Sequence, residues 1–307
     1  METHSLTMSD GQLIHYYRWL PTDPPRATVQ ITHGMGEHAA RYDEFANRLT
    51  EAGYAVYAND LRGHGKTAKP DALGDMGEDG WNRTIQDAYE LHQHLTSEHP
   101  NIKRAFFGHS MGAMLTQQFL YRHGEVLDTA IISGSPGISS AVRLWLSHTI
   151  ARFERWRLGA GEVSNLMQRL VFGSANKSFD AEGSSGFEWL SRDQVKVARY
   201  ANDPLCGFVL RAGSLCDLFA GAREARRNKN ISRIPATLPV YIFSGSADPV
   251  HNKERDLLRL LDRYRMHIDK VSYKLYPNGR HEMLNEINCD AVINDILHWL
   301  ESTLSSD

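Results

Sequence analysis

Lys103-Arg104-Ala105-Phe106-Phe107-Gly108-His109-Ser110-Met111-Gly112 is a short apolar run that breaks at a glycine, presents a serine and restarts as helix. The first half has the composition of a buried strand, and Met114, Leu115, Gln118 and Phe119 follow at helical spacing. Glycines flank Ser110 because a strand must turn sharply into a helix there, and larger side chains would collide with neighbouring backbone. That turn lifts the hydroxyl clear of the strand. It also leaves the amide of Met111 at a helix N-terminus, where it can donate to a developing negative charge. The glycine-serine-glycine string alone recurs by chance; its strand-turn-helix setting gives it weight.

Strand and helix patterns alternate on both sides of this turn. Leu6-Thr7-Met8 and Leu13-Ile14-His15-Tyr16-Tyr17 flank Asp10-Gly11, a two-residue hairpin signal. Further strands are expected at Ala27 to Thr32, Tyr54 to Ala58, Thr129 to Ser133, Leu238 to Phe243 and Val271 to Tyr276. Between them, Tyr42, Phe45, Ala46 and Leu49 share a helix face closed by Gly53, and Ile85, Ala88, Tyr89, His92 and Leu95 another that stops at Pro100. A charged helix spans Lys253 to Arg265, and the last helix buries Val292, Ile293, Ile296, Leu297 and Leu300. This alternation predicts the α/β class: a mostly parallel eight-stranded sheet with helices on both faces. The rhythm stops at Gly134-Ser135-Pro136-Gly137. Residues 136–233 read as a helical lid inserted between two parts of one core domain, 1–135 and 234–307.

Ligands of such sheets collect at the carboxyl ends of the strands. His33, Asp60, Ser110, Asp248 and His281 each fall just beyond an expected strand end. A serine hydroxyl becomes a nucleophile when an imidazole accepts its proton, and the imidazole needs a carboxylate on its other nitrogen. The chain order Ser110, Asp248, His281 is that of α/β-hydrolases. The glycine-rich bend His33-Gly34-Met35-Gly36 supplies a second oxyanion donor, the amide of Met35, beside that of Met111.

Plainer roles compete for the same residues. Asp248 precedes Pro249 and could be a turn aspartate, with Asp217 and Glu282 as rival acids. His33, His64 and His109 lie in glycine turns that suit local hydrogen bonding; His92, His94 and His99 read as solvated. Asp60 is expected to anchor its own loop. Gly65-Lys66-Thr67 resembles the end of a phosphate-binding loop, but that motif requires glycine where Asp60 stands. Trp145, Trp156 and Trp189 are expected in the lid's own core or, for at least one, in the wall of an acyl pocket. Arg223, Arg226, Arg227 and Lys229 read as a solvated surface, with membrane-surface contact as the alternative.

Composition narrows the classes. A chain of 307 residues with 41% hydrophobic and 23% charged residues is an ordinary globular protein, long enough for one core with an insertion. Net charge of -3 gives no reason to expect nucleic acid. No apolar run approaches the roughly 20 residues that span a bilayer, and Met1-Glu2-Thr3-His4-Ser5 is unlike a secretory signal. Three cysteines, Cys206, Cys216 and Cys289, form no disulfide framework, so a cytoplasmic location is expected, including a peripheral place at the inner membrane surface. Cys206 and Cys216 are expected as small buried residues. Neither metal nor cofactor is expected.

The chain resembles the monoacylglycerol lipase and lysophospholipase group of α/β-hydrolases. The resemblance rests on His33-Gly34-Met35-Gly36-Glu37-His38 with Arg41-Tyr42, Asp60-Leu61-Arg62-Gly63-His64-Gly65, Gly108-His109-Ser110-Met111-Gly112, Asn202-Asp203-Pro204-Leu205, Gly245-Ser246-Ala247-Asp248, and His281-Glu282 with Asn285-Glu286. It implies Ser110 as nucleophile, His281 as general base, Asp248 as its orienting acid, and the Met35 and Met111 amides as oxyanion donors. It further implies a serine esterase acting on a single-chain lipid ester, a monoacylglycerol or a lysophospholipid. Short-chain esters, thioesters, peptides with a free N-terminus and carbon-carbon diketones stay open, as does a lipid-binding protein without turnover. Two positions depart from the group: Ala113 replaces a usual third glycine, and Lys66-Thr67 follows the Arg-Gly-His-Gly turn where a small residue and serine are commoner.

Overall fold

Eight strands form one sheet in the computed structural model, which describes residues 1–69, 71–173, 175–179 and 182–305. They are β1 (Glu2–Thr7), β2 (Leu13–Trp19), β3 (Ala27–Thr32), β4 (Tyr54–Asn59), β5 (Lys103–His109), β6 (Thr129–Ser133), β7 (Val240–Gly245) and β8 (Val271–Tyr276). Their order is β1-β2-β4-β3-β5-β6-β7-β8. The β1–β2 and β2–β4 pairs are antiparallel; every pair from β4 onward is parallel. Strands β3, β4, β6 and β7 are buried at every position, which is why they read as nearly continuous apolar runs.

The helices are α1 (Asp43–Glu51), α2 (Gly80–Glu98), α3 (Met111–His123), α4 (Ala141–Leu158), α5 (Asn165–Phe172), α6 (Gln194–Asn202), α7 (Ala212–Ala225), α8 (Asn228–Ile231), α9 (Arg255–Arg265) and α10 (Cys289–Leu304). Successive strand side chains face opposite ways, so each strand feeds two cores. Phe106 and Ile132 pack with Ile85, Phe119 and Leu257 from α2, α3 and α9. Phe107 and Ile131 pack with Phe45 and Leu49 of α1 and Ile296 and Leu300 of α10. The sheet is therefore covered on both sides. Helices α4 to α8 all lie between β6 and β7, and α7 packs against α2, α3 and α4.

Four expectations need correction. The β1–β2 connection runs from Met8 to Gln12: the last cross-strand pair is Thr7 with Leu13, and the Met8 amide donates to the Gln12 carbonyl at 2.8 Å. Asp10-Gly11 thus sits in a wider loop than a two-residue turn. His92 is buried, because it shares the α2 face with Ile85, Ala88 and Leu95; its Nδ1 pairs with Gln30 Oε1 at 3.2 Å. His94 and His99 are half-buried and pair with the hydroxyls of Tyr16 and Tyr57. Trp145 and Trp156 are neither core nor pocket wall: α4 turns them outward, at 58% and 79% exposure. Cys216 is buried and Cys206 only half-buried.

Candidate active site

Ser110 joins β5 to α3 with φ 53° and ψ −114°, a left-handed backbone rarely adopted by a residue with a side chain. Its neighbours explain why glycine is required there. A Cβ on Gly112 would lie 2.1 Å from the Thr32 carbonyl oxygen, and one on Gly108 would lie 2.5 Å from the Gly112 carbonyl oxygen. Ala113, by contrast, is accommodated in full burial. The Ser110 amide donates to the Ser133 carbonyl at 2.9 Å, tying the turn to β6.

Asp248 follows β7 and His281 follows β8, so the sheet carries both to the edge where Ser110 emerges. Ser110 Oγ lies 2.8 Å from His281 Nε2, and His281 Nδ1 lies 2.9 Å from Asp248 Oδ2. Both His281 and Asp248 are 2% exposed. Asp248 also accepts from the Ser244 hydroxyl and the Val250 amide, each at 2.9 Å. Burial opposes its charge, but these donors and His281 outweigh burial and hold its carboxyl below the usual range. An ionised Asp248 takes the Nδ1–H of His281, which leaves the Nε2 lone pair for the Ser110 hydroxyl. Burial would lower the His281 pKa; the Asp248 carboxylate reverses this and raises it. Neither rival acid reaches His281: Asp217 accepts from the Gly80 amide, and Glu282 pairs with Arg41.

The bend after β3 faces the same edge. Among the described residues, neither the Met35 nor the Met111 amide has an acceptor within the protein. The bend is held from three sides. The Leu61 amide donates to His33 Nε2 at 3.0 Å, and the Gly34 amide donates to Glu37 Oε1 at 2.6 Å. The Tyr200 hydroxyl and the Gly207 amide both donate to the Gly36 carbonyl, at 2.8 and 2.9 Å. Asp60 ties its own loop to the segment after β3, its carboxylate accepting from the Lys66 and Ala39 amides at 2.8 Å. Thr67, one of the departures from the usual pattern, accepts from the His15 amide at 2.9 Å.

Two cavities meet at Met35, Ser110 and Trp189. One, of about 260 Å³, runs between α3 and the inserted helices and is walled by Met114, Leu144, Met167, Leu215 and Phe219. The other, of about 570 Å³, has a mixed wall including Gln168, Arg169, Tyr200, Phe208 and Glu37. Trp189 lies over His281 with ring centroids 4.9 Å apart. Two groups of donor atoms come close enough together for a metal ion. Those of Glu37, His109 and Glu282 come within 4.8 Å of one another, but both carboxylates already accept from Arg41. His38 and Asp203 pair directly at 2.9 Å, and burial pushes the neighbouring Cys206 thiol up, away from the thiolate a metal needs.

Sequence reasoning attached no separate role to Arg41, Glu37 or Tyr200, and weighed Glu282 only as a rival acid. All but Tyr200 stood inside the quoted motifs, but their partners lie as far as 241 residues away along the chain.

A serine at a strained strand-to-helix turn, with its sheet topology and chain order, defines an α/β-hydrolase. The chain belongs to the family described as serine aminopeptidase, S33, whose model matches residues 23–288. It is 28% identical over 302 residues to the monoacylglycerol lipase of Mycolicibacterium smegmatis, covering 98% of this chain and 97% of that one. To the monoglyceride lipase of Mus musculus it is 27% identical over 311 residues, covering 98% and 89%. A thermostable carboxyl esterase from Bacillus coagulans, solved with glycerol, superposes with a TM-score of 0.91 at 25% identity over 99% of each chain. The chain is therefore an enzyme, an ester hydrolase of the α/β-hydrolase class.

Proposed function

We propose that the chain hydrolyses carboxylic esters of single-chain lipids, such as a monoacylglycerol or a lysophospholipid, through an acyl-enzyme on Ser110. The observation that carries this reading is the hydrogen-bonded line Ser110–His281–Asp248 opening on the apolar cavity. Ser110 Oγ attacks the ester carbonyl carbon while its proton passes to His281 Nε2. The Met35 and Met111 amides hold the oxyanion of the tetrahedral intermediate. The carbon–oxygen bond to the alcohol breaks, and the alcohol leaves with the proton from His281. Water then attacks the acyl carbon with His281 again as base, releasing the acid and restoring the Ser110 hydroxyl.

The apolar cavity suits an acyl chain, and the mixed one suits a polar leaving group. No acidic residue is among the described ones lining the apolar cavity, and the two in the mixed cavity, Glu37 and Glu282, are paired with Arg41. An aminopeptidase, the activity in the family description, needs a carboxylate free to meet a substrate amine; here both carboxylates are already held by Arg41.

In this reading residues 136–233 form the lid over the site, and α4 gives it a membrane-facing side. Val142, Trp145, Leu146, Phe153 and Trp156 are exposed on α4 at helical spacing, with Arg143, Arg152, Arg155 and Arg157 between them. The three unpaired cysteines support a reducing, cytoplasmic setting. No described helix is long and apolar enough to cross a membrane.

A fluorophosphonate probe is expected to label the wild type and not Ser110→Ala. A panel of monoacylglycerols, lysophospholipids, p-nitrophenyl esters and aminoacyl amides should show kcat/KM at least roughly 100-fold higher for the lipid esters than for the amides. Equal labelling of Ser110→Ala, or preference for the amides, would overturn the reading.

A further inference from the structure

Glu37 and Glu282 are buried beside the site with the half-buried Arg41 between them, and none of the three takes part in the proton transfers above. Glu37 is 3% exposed and Glu282 6%. Arg41 forks onto Glu282, Nη1 to Oε1 at 2.8 Å and Nη2 to Oε2 at 2.7 Å, and Nη1 also donates to Glu37 Oε2. Each carboxylate is in turn fastened to a different loop. Glu37 accepts from the Gly34 amide at 2.6 Å and the Tyr42 hydroxyl at 3.1 Å. Glu282 accepts from Asn285 Nδ2 at 2.8 Å, and its own amide donates to the Leu190 carbonyl at 2.7 Å. The Arg41 guanidinium lies 4.7 Å over the ring of Tyr200, whose hydroxyl holds the Gly36 carbonyl.

The ends of this bridge fall at telling places. Gly34 immediately precedes Met35, and Glu282 immediately follows His281. A buried ion pair is by itself weak support for stability, since desolvation cancels most of the attraction. A planar guanidinium does something an apolar pair would not: it fixes two carboxylates at set angles to one another.

We infer that Arg41 is a positioning residue: by joining Glu37 to Glu282 it locks the bend that carries the Met35 amide to the loop that carries His281, so oxyanion donor and general base keep one mutual geometry. The inference rests on the roles given above to Ser110, Met35 and His281. Misplacement of a reacting group by about 1 Å costs on the order of 100-fold in rate, which sets the scale of the effect. The bridge also sets part of the charge around His281. That imidazole is faced by Asp248 from the β7 loop, Glu282 from its own loop, Glu37 and Arg41 from the segment after β3, and His109 from β5, with Trp189 packed on it. The Glu282 and Glu37 carboxylates add to the effect of Asp248 in favouring its protonated form.

Labelling of the wild type but not of Ser110→Ala by the fluorophosphonate probe tests the underlying reading separately. With p-nitrophenyl ester as substrate, Arg41→Met is expected to lower kcat roughly 100-fold with KM changed less than about threefold, and Arg41→Lys to recover only part of the loss. Glu282→Gln should move the acid limb of kcat/KM to lower pH, because His281 loses a neighbouring negative charge. The decisive measurement is the cycle of Glu37→Gln, Glu282→Gln and the double variant. If one bridge serves both loops, breaking it twice does little more than breaking it once, and the double variant is no slower than the slower single one. Losses that multiply, or an Arg41→Met enzyme within about twofold of wild-type kcat, would overturn the inference. Should the methionine variant fail to fold, the isosteric glutamine cycle decides the matter alone.

Discussion

Asp248 touches His281 and not the substrate, yet its removal should be felt in both rate and pH dependence. In the proposed reaction His281 takes the serine proton on an unprotonated Nε2, so activity is expected to be lost as pH falls through its pKa. Burial works against the imidazolium, and the Asp248 carboxylate more than offsets this, so the pKa lies above the ordinary value. The acid limb of kcat/KM is therefore expected to have its midpoint above about 6.5. Asp248→Asn removes the charge that raises it and offers the wrong hydrogen-bond partner to Nδ1. That limb should move to lower pH while kcat falls by about 10⁴-fold. A pH–rate profile of both enzymes checks this; an unshifted limb would mean that Asp248 does not govern the imidazole. At this scale the sequence was most legible where a residue's place follows from its position after a strand, as for Ser110, Asp248 and His281. It was least legible for Arg41, which pairs with a partner 241 residues away.

Among the elements, α4 departs most from its sequence reading. Leu144, Ala151 and Glu154 are its buried positions, while Val142, Trp145, Leu146, Phe153 and Trp156 point out. An apolar stripe interleaved with arginine is the pattern of a helix that lies in a lipid interface. The wild type is expected to cosediment with vesicles containing anionic lipid, and the double variant Trp145→Ser, Trp156→Ser to stay in the supernatant while keeping wild-type turnover of a soluble p-nitrophenyl ester. Equal cosedimentation of both proteins would remove α4 from the docking surface. The core elements were readable because strands buried on both faces and helices buried on one leave periodic marks. An exposed apolar face and a buried one leave the same mark. What decides between them is whether another element lies against the face, as α7 does against α4 on its other side.

Across the whole molecule, the buried imidazoles make the fold sensitive to acid. Burial lowers the pKa of His64 and His92 to about 4 and of His109 to about 3, and that of His33 well below its ordinary value. Above about pH 6.5 these groups are neutral in folded and unfolded chain alike and contribute no pH dependence. Below it the unfolded chain takes up protons that the folded chain refuses, so each group costs up to about 1.4 kcal/mol per pH unit until its folded pKa is reached. His281, with its raised pKa, works in the opposite sense, but it is one group against these. Denaturant midpoints at pH 5.5 should therefore lie clearly below those at pH 7.5; equal midpoints would show that these imidazoles are not buried neutral.

The amino-acid order by itself determined what is written within a few residues: the sheet's strands, the glycine turn around Ser110, and the succession of serine, acid and histidine at strand ends. Backbone conformation and one-sided burial are encoded locally, so they can be read locally. The tertiary structure alone decided that His92 is buried, that Trp189 covers His281 while Trp145 and Trp156 face outward, and that Arg41 joins Glu37 to Glu282. Those are contacts between segments far apart in the chain, and their energy belongs to neither segment until the fold has brought them together.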